Sequence, residues 1–419
     1  MDKPAQGKYM KILYLHPHAW SGEYPILKKL RDLGHEICVL EEDRIKSSPA
    51  YHITDYFHEH GDSIATLWYN PKKGWKKIIT WPVDRFFKRA FNGRNLGHRM
   101  WVIWDAVSYF KPDAVISSEG FAYAIPAAFL KQTGLLKPAL LISYIGGDIL
   151  DCPEADVGKR RTALVTWLMR QPIKSADILR PVSPMLKYQL IDLGANPDKI
   201  HVVPSHLVIS TENLHNVLLQ KKEIRLKIRQ RYRIPENAPL IITLSSNLKG
   251  KGLHVLASAW PEVLKHIPDC RWILCGPDDP WLKQGVLPLL RNHAVENTVF
   301  MAGKLSGLEV FEYLIAADVH INPVLCEGLN MVTVEAAAVG TPTITSDGAG
   351  IASWVEEFEA GKVVPAGDAT ALTWAIVDFF QKPHIAETWG QHCARLSENF
   401  IMENVASSII NLLHQALPR

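Results

Sequence analysis

Paired cysteines, long hydrophobic runs and a large net charge are all missing from this chain, and each absence excludes something. Its six cysteines (Cys38, Cys152, Cys270, Cys275, Cys326 and Cys393) are scattered, with no CxxC and no paired spacing. That pattern argues against a disulfide framework and against a zinc knuckle. No apolar stretch approaches the roughly 20 residues needed to cross a bilayer. The first twenty residues, MDKPAQGKYMKILYLHPHAW, hold only a short apolar run before two histidines and do not read as a signal peptide. A cytoplasmic protein is expected, peripheral on the inner face of a membrane if it touches one. A formal charge of +3 is too small to name a partner. The P-loop pattern GxxxxGK[ST] is absent as well.

What is present is an ordinary globular composition, 47% hydrophobic and 21% charged over 419 residues. That length exceeds the roughly 250–300 residues at which one core stops growing, so two domains are expected. KILYL (11–15), a helical pattern PILKKLRDLGH stopped by Gly34, and EICVLEE read as a βαβ unit. The rhythm recurs at PDAVISS (112–118), PALLISYIGGD (138–148) and ADILRPVS (176–183). It closes with PMLKYQLIDLGANPDKIHVVPS, read as helix, Gly194 stop and strand. A charged stretch, 206–236, breaks the rhythm as a connector with no strong strand. It restarts at LIITLSS (240–246), RWILCG (271–276), NTVFMAG (297–303), ADVHINPV (317–324) and TPTITSD (341–347). Apolar runs alternating with helices predict parallel sheets covered on both faces, here two doubly wound α/β domains facing a cleft. In such sheets ligands bind beyond the carboxyl ends of the strands.

Three places satisfy that rule in the second half. Lys251, in SSNLKGKGLHVL, follows one strand and precedes a helix, where it serves as a phosphate ligand or as a solvated loop lysine. Gly276 ends another strand, either to admit a ligand to the backbone or to make a tight turn. The third is CEGLNMVTVEAAAVGTP (326–342), whose Glu327 and Glu335 stand eight apart among apolar residues. Asn330 is a good N-cap and Gly340 a stop, so a helix over MVTVEAAAV is expected. Glu327 then lies on a loop and Glu335 in the second helical turn, with free amides at 329–331 between them. Amides favour an anion and carboxylates accept from hydroxyls, so a phosphate and a sugar together make chemical sense of the pair. A turn residue and a solvated helix residue are the plainer alternative.

The second half resembles the nucleotide-sugar-binding domain of family-4 retaining glycosyltransferases of the GT-B fold. The resemblance rests on Lys251-Gly252, Gly276, Ala317-Asp318-Val319, Glu327-Gly328 through Glu335-Ala336, and Gly340-Thr341-Pro342. The two glutamates with seven residues between them are its most diagnostic element. Weaker similarity covers the first strand, Gly34-His35-Glu36, Gly146-Gly147-Asp148 and VSPMLKYQLIDLGANPDKIHVVP.

The resemblance implies an N-terminal acceptor-binding domain over 1–205, a nucleotide-sugar-binding domain over 206–395 and a C-terminal helix over 396–419. That helix crosses back onto the first domain in the resembled fold; a plain capping helix on the second is the other reading. Glu335 would bind the ribose of the donor nucleotide and Glu327 the hydroxyls of the transferred sugar. The amides of Leu329, Asn330 and Met331, beside Gly328, would hold the diphosphate with Lys251. Glu327, Lys251 and Asp148 are the implied catalytic set, and transfer would retain anomeric configuration with no metal or cofactor. The chain departs from the family where a Gly-Arg pair usually precedes Lys-Gly: Ser245-Ser246 stand there, leaving Ser246 and Lys249 as substitutes. Ile145-Gly146-Gly147-Asp148 lacks the histidine of the usual His-Gly-x-Asp. Ser205-His206 replace an Asn-Gly, and the loop HPHAWSGEY has one glycine, Gly22. His16, His18, Gly22 and Glu119 are the acceptor-side candidates.

Residues 68–101 hold nine Lys or Arg against one acid, Asp84, with seven tryptophans and phenylalanines interleaved. By itself such a stretch suits an anionic membrane surface, single-stranded nucleic acid, or a partly buried excursion with solvated lysines. With a glycosyltransferase acting on a lipid-linked or glycan acceptor, the membrane fits best and no nucleic acid is expected. Two other functions stay open: a catalytically silent sugar-nucleotide-binding subunit, and a GT-B sugar-nucleotide epimerase.

Overall fold

The computed structural model describes residues 9–15, 22–42, 53–69, 76–87, 95–158, 162–246 and 249–417. The chain divides into two compact units. Unit 1 comprises 1–151, 158–206 and 402–419, and unit 2 comprises 152–157 and 207–401.

Unit 1 is built on a parallel sheet of six strands: β1 (Lys11–Leu15), β2 (Glu36–Glu42), β3 (Ala65–Tyr69), β4 (Ala114–Ser117), β5 (Ala139–Tyr144) and β6 (Ile178–Pro181). Its order is β3-β2-β1-β4-β5-β6. β1, β4 and β5 are almost wholly buried, as unbroken apolar runs covered on both faces should be. The helix Met402–Ala416 belongs to this unit. Its Val405, Ala406, Ile409 and Leu413 share a core with Ile12, Leu27, Val39 and Leu141. Each such buried aliphatic side chain contributes about 1.5–3 kcal/mol. Lys29 also reaches Glu403 at 3.2 Å.

Unit 2 repeats the plan with β7 (Leu240–Leu244), β8 (Arg271–Cys275), β9 (Val299–Gly303), β10 (Val319–Asn322), β11 (Thr343–Ser346) and β12 (Gly361–Val364). The order is β9-β8-β7-β10-β11-β12, all parallel. Trp260 and Trp272 fill its core edge to face, centroids 5.7 Å apart, and each indole N–H is satisfied by a threonine hydroxyl.

Several expectations need correcting. The stretch IHVV (200–203) is not a strand: only a single bridge joins Ile200 to Leu179. The carbonyls of Val203 and Pro204 instead accept from the Arg180 guanidinium. The charged stretch at 206–236 is no bare connector but two helices, Thr211–Leu219 and Lys221–Arg231. Arg229 from the second is buried and donates to the carbonyls of Ala316, Pro235, Glu236 and Ala238. With Arg225 it also engages Asp318, whose Oδ2 accepts the Leu240 amide at 2.8 Å. Asp318 thus ties a helix to the amino ends of β7 and β10. Finally, Cys152 and Cys326 are joined in a disulfide within unit 2. Their separation of 174 residues left no local spacing to read.

Candidate donor site in unit 2

The residues singled out from the sequence gather at the carboxyl ends of β7, β8 and β10. After β10 the chain runs through a loop into the helix Met331–Ala338, capped by Asn330. Asn330 adopts φ 84°, a left-handed conformation that asparagine tolerates better than most residues. Its Oδ1 accepts from both the amide and the hydroxyl of Thr333, each at 3.0 Å. That bond satisfies one orphan donor of the helix start. The Asn330 Nδ2 turns the other way and donates to Glu327 Oε2 at 2.6 Å. Glu327 Oε1 pairs with the Lys251 ammonium. Lys251, Glu327, Asn330 and Thr333 therefore form one continuous chain of polar contacts.

The backbone beneath them is closely hydrogen-bonded. Leu325 donates to the Gly250 carbonyl, so the loop after β10 is fastened to the Lys251 loop. Glu327 exchanges backbone bonds with Gly348 and Gly350, and Ile351 donates to Leu329, laying residues 327–329 along the loop after β11. Gly252 is required where it stands: φ is 67°, and a Cβ would lie 1.8 Å from the Pro323 carbonyl oxygen. Ala155 and Val157 press on Gly250 from the other side. The Cys152–Cys326 disulfide anchors that segment one residue before Glu327.

Between the two glutamates, the amides of Leu329, Asn330 and Met331 donate to nothing among the described residues. They are the open donors of a helix start, with the partial positive charge that implies. Glu335 sits one turn further along. Burial pushes its carboxyl up to about 7, and its side chain has no hydrogen bond or ion pair among the described residues. Glu335 is only half-buried, so water still reaches it, yet a desolvated carboxyl without a partner of its own is a natural place for a ligand hydroxyl to bind.

The remaining candidates are more dispersed. Ser246 is exposed just after β7, and Lys249 is partly buried in the 3-10 turn Lys249–Lys251. Gly276 is buried at the end of β8, its amide donating to the Gly303 carbonyl. Gly328 is buried in the loop.

In unit 1, Asp148 is buried and accepts amide hydrogens from Gly120 (2.6 Å), Gly146 (2.9 Å) and Ile145. Burial raises its carboxyl while those amides oppose the rise. Asp148 so orders the loops after β4 and β5. Gly120 must be glycine there, because a Cβ would lie 2.3 Å from Tyr144 Cε1. Glu119 accepts the amides of Phe121 and Tyr123, both at 2.9 Å, at the start of the helix Ala124–Gln132. Gly22 is buried at the start of the helix Glu23–Asp32. His16 and His18 lie outside the described residues.

Sequence reasoning did not anticipate Asn330 as the link between Glu327 and the helix cap. The signal was there, as Glu-x-x-Asn before an apolar helix. The Cys152–Val157 segment had none, because nothing local marks an excursion that packs about a hundred residues downstream.

Residues 238–382 match the family model described as glycosyl transferases group 1. A protein of Salmonella typhimurium described as the colanic acid biosynthesis glycosyltransferase WcaL is 24% identical over 376 residues, 84% of this chain and 85% of that one. Other matched relatives are spanned over 62% and 60% of their own lengths. A crystal structure of a glycosyltransferase from Rickettsia africae superposes with a TM-score of 0.74 at 17% identity, covering 98% of this chain and 100% of that one. Anabaena Alr3699/HepE in complex with UDP-glucose superposes with a TM-score of 0.68 at 16% identity, covering 97% and 100%. The two six-stranded sheets carry the GT-B fold, and residues 238–382 are similar to the group 1 glycosyl transferases.

Proposed function

We propose that this chain moves a sugar from a nucleoside diphosphate sugar to an acceptor hydroxyl, with retention of anomeric configuration, as the resembled family-4 enzymes do. The observation that carries the proposal is one short segment holding a half-buried carboxyl, Glu335, with no partner among the described residues, three open amides and the Lys251–Glu327–Asn330 chain. Each part suits one part of such a donor. Glu335 accepts from the ribose hydroxyls. The amides of Leu329, Asn330 and Met331 receive the diphosphate with Lys251, and Lys249 and Ser246 stand in for the family's missing arginine. Glu327, held between Lys251 and Asn330, orients the hydroxyls of the sugar. The UDP-glucose bound by the Anabaena neighbour supports a donor of this class without fixing the base or the sugar.

In the reaction, the bond from the anomeric carbon to the leaving phosphate oxygen breaks as a bond to the acceptor oxygen forms on the same face of the ring. The acceptor proton passes to that phosphate oxygen. Charge growing on the leaving diphosphate is stabilised by Lys251 and the helix-start amides, which act where the charge develops. No metal or cofactor is required by this scheme, and undiminished turnover in a chelator tests that part. The acceptor is a glycan or lipid-linked saccharide. Asp148 and Glu119 set the loop geometry on the acceptor side, where Gly22, His16 and His18 remain candidates for orienting the hydroxyl.

The test is a panel of nucleotide-sugars, with nucleoside diphosphate release followed with and without oligosaccharide and lipid-linked acceptors. Acceptor-dependent release supports transfer, and the anomeric coupling of the product reports retention. Donor binding with no release from any donor would instead fit a silent binding subunit. Interconversion of sugar epimers would fit an epimerase.

A further inference from the structure

The helix Lys76–Phe87 turns Thr80 and Asp84 inward. The Asp84 carboxylate accepts the Thr80 hydroxyl at 3.0 Å and the Gly97 amide at 2.7 Å, fastening this helix to the start of the helix Leu96–Phe110. With positions 80 and 84 committed, the residues between and after them face outward. Trp81 is 51% exposed and Phe86 73%, with Val83 and Arg85 also exposed. Arg85 lies over the Trp81 ring at 5.0 Å.

A second helix continues the same surface. Phe87 stacks on Trp167 of the helix Ala163–Ser175, with ring centroids 6.5 Å apart and planes within 8°. Trp167 is itself 46% exposed. Leu164, Trp167, Arg170 and Lys174 are all exposed at near-helical spacing, so they share one outward stripe. The charge is one-sided. The first helix has a single acid, Asp84, which is buried, and the second has none.

We propose that these two helices form one docking surface for an anionic lipid bilayer. Exposed tryptophan and phenylalanine beside arginine and lysine, with no exposed acid, match an interface whose outer layer is negative and whose boundary is apolar. Val83 and Leu164 argue for lipid over nucleic acid. Aliphatic side chains bury into an acyl boundary, whereas single strands are held by stacking on aromatic faces. A symmetric pair of copies would set the same basic stripe against itself. The sequence pointed to 68–101 alone; Leu164, Trp167, Arg170 and Lys174 enter only through the fold. The inference does not rest on the sugar-transfer reading, because vesicle binding is measured without donor or acceptor.

The experiment is co-sedimentation of the full chain with phosphatidylcholine vesicles, with and without phosphatidylglycerol, at low salt and at about 1 M salt. Expected is partitioning onto the anionic vesicles that high salt weakens. Trp81→Ser/Phe86→Ser/Trp167→Ser and Arg170→Gln/Lys174→Gln should each lower it by about tenfold or more. All five positions are exposed, and an unchanged melting temperature would confirm intact folding in both variants. Brominated lipid should quench wild-type tryptophan fluorescence more than that of the triple variant. No binding at low salt, equal binding to neutral vesicles, or unchanged partitioning of both variants overturns the proposal. So does binding to single-stranded nucleic acid, or self-association, that the same variants abolish in place of vesicle binding.

Discussion

Unit 1 and unit 2 are two copies of one plan whose carboxylates are used in opposite ways. Strand order is the same in both sheets, and in both the acids of interest follow the carboxyl ends of central strands. In unit 1, Asp148 and Glu119 are absorbed by their own backbone, accepting amides that would otherwise go unsatisfied. In unit 2, Glu327 is held by two side chains and Glu335, among the described residues, by none. A carboxylate filled by amides is an architectural part, while a half-buried one left without a partner is open to something else. A second contrast lies within unit 2. At the amino ends of its strands, Asp318 is locked by Arg225, Arg229 and an amide, which serves stability alone.

The largest expected effect breaks the comparison on the unit 1 side. Asp148→Ala strips the acceptor from the Gly120, Ile145 and Gly146 amides, and each unsatisfied buried donor costs about 1–3 kcal/mol. A loss of roughly 3–5 kcal/mol in urea unfolding is predicted, with donor affinity unchanged. A donor affinity that fell in step with stability would remove the distinction between the two units.

Next in size, Lys251→Ala and Glu335→Ala should each weaken donor binding by about a hundredfold, which is roughly 2.7 kcal/mol. Both residues are partly exposed at a prepared site, so thermal stability should hardly change in either variant. Reduction of the Cys152–Cys326 disulfide, or Cys152→Ser, should lower stability by about 2–4 kcal/mol. Because Cys326 precedes Glu327 directly, donor affinity should drop as well. Equal affinities in the oxidised and reduced protein would separate the staple from the site.

The smallest effect is a titration. Burial has moved Glu335 up to about 7, so below that pH the free protein carries it protonated. If the donor's hydroxyls are accepted by the carboxylate, binding must first remove that proton. Affinity should therefore fall as pH drops below about 7, by up to about tenfold per unit.

The repeating βαβ rhythm was legible because buried parallel strands are continuous apolar runs, and ten of the twelve strands of the two six-stranded sheets announce themselves that way. β3 and β12 do not. ATLWY opens the basic aromatic stretch and is masked by it, and GKVV is short, glycine-led and half exposed. The helix from Met331 was legible to within a residue because Asn330 and Gly340 mark its ends chemically. The exposed stripe of the helix Ala163–Ser175 beside the basic aromatic stretch, the disulfide and the buried Arg229 were not legible. Each depends on residues far apart in the chain, and side-chain periodicity carries no record of such neighbours.

The central claim is that Glu335, half-buried and without a partner among the described residues, is kept to bind a donor nucleotide. Isothermal titration of the best donor from the panel, one pH unit either side of about 7, tests it with wild type and Glu335→Gln. Wild type should bind more tightly on the alkaline side, while the glutamine variant should bind weakly with no dependence on pH across that window. Equal affinities for the two proteins, or the same pH dependence in both, would contradict the account.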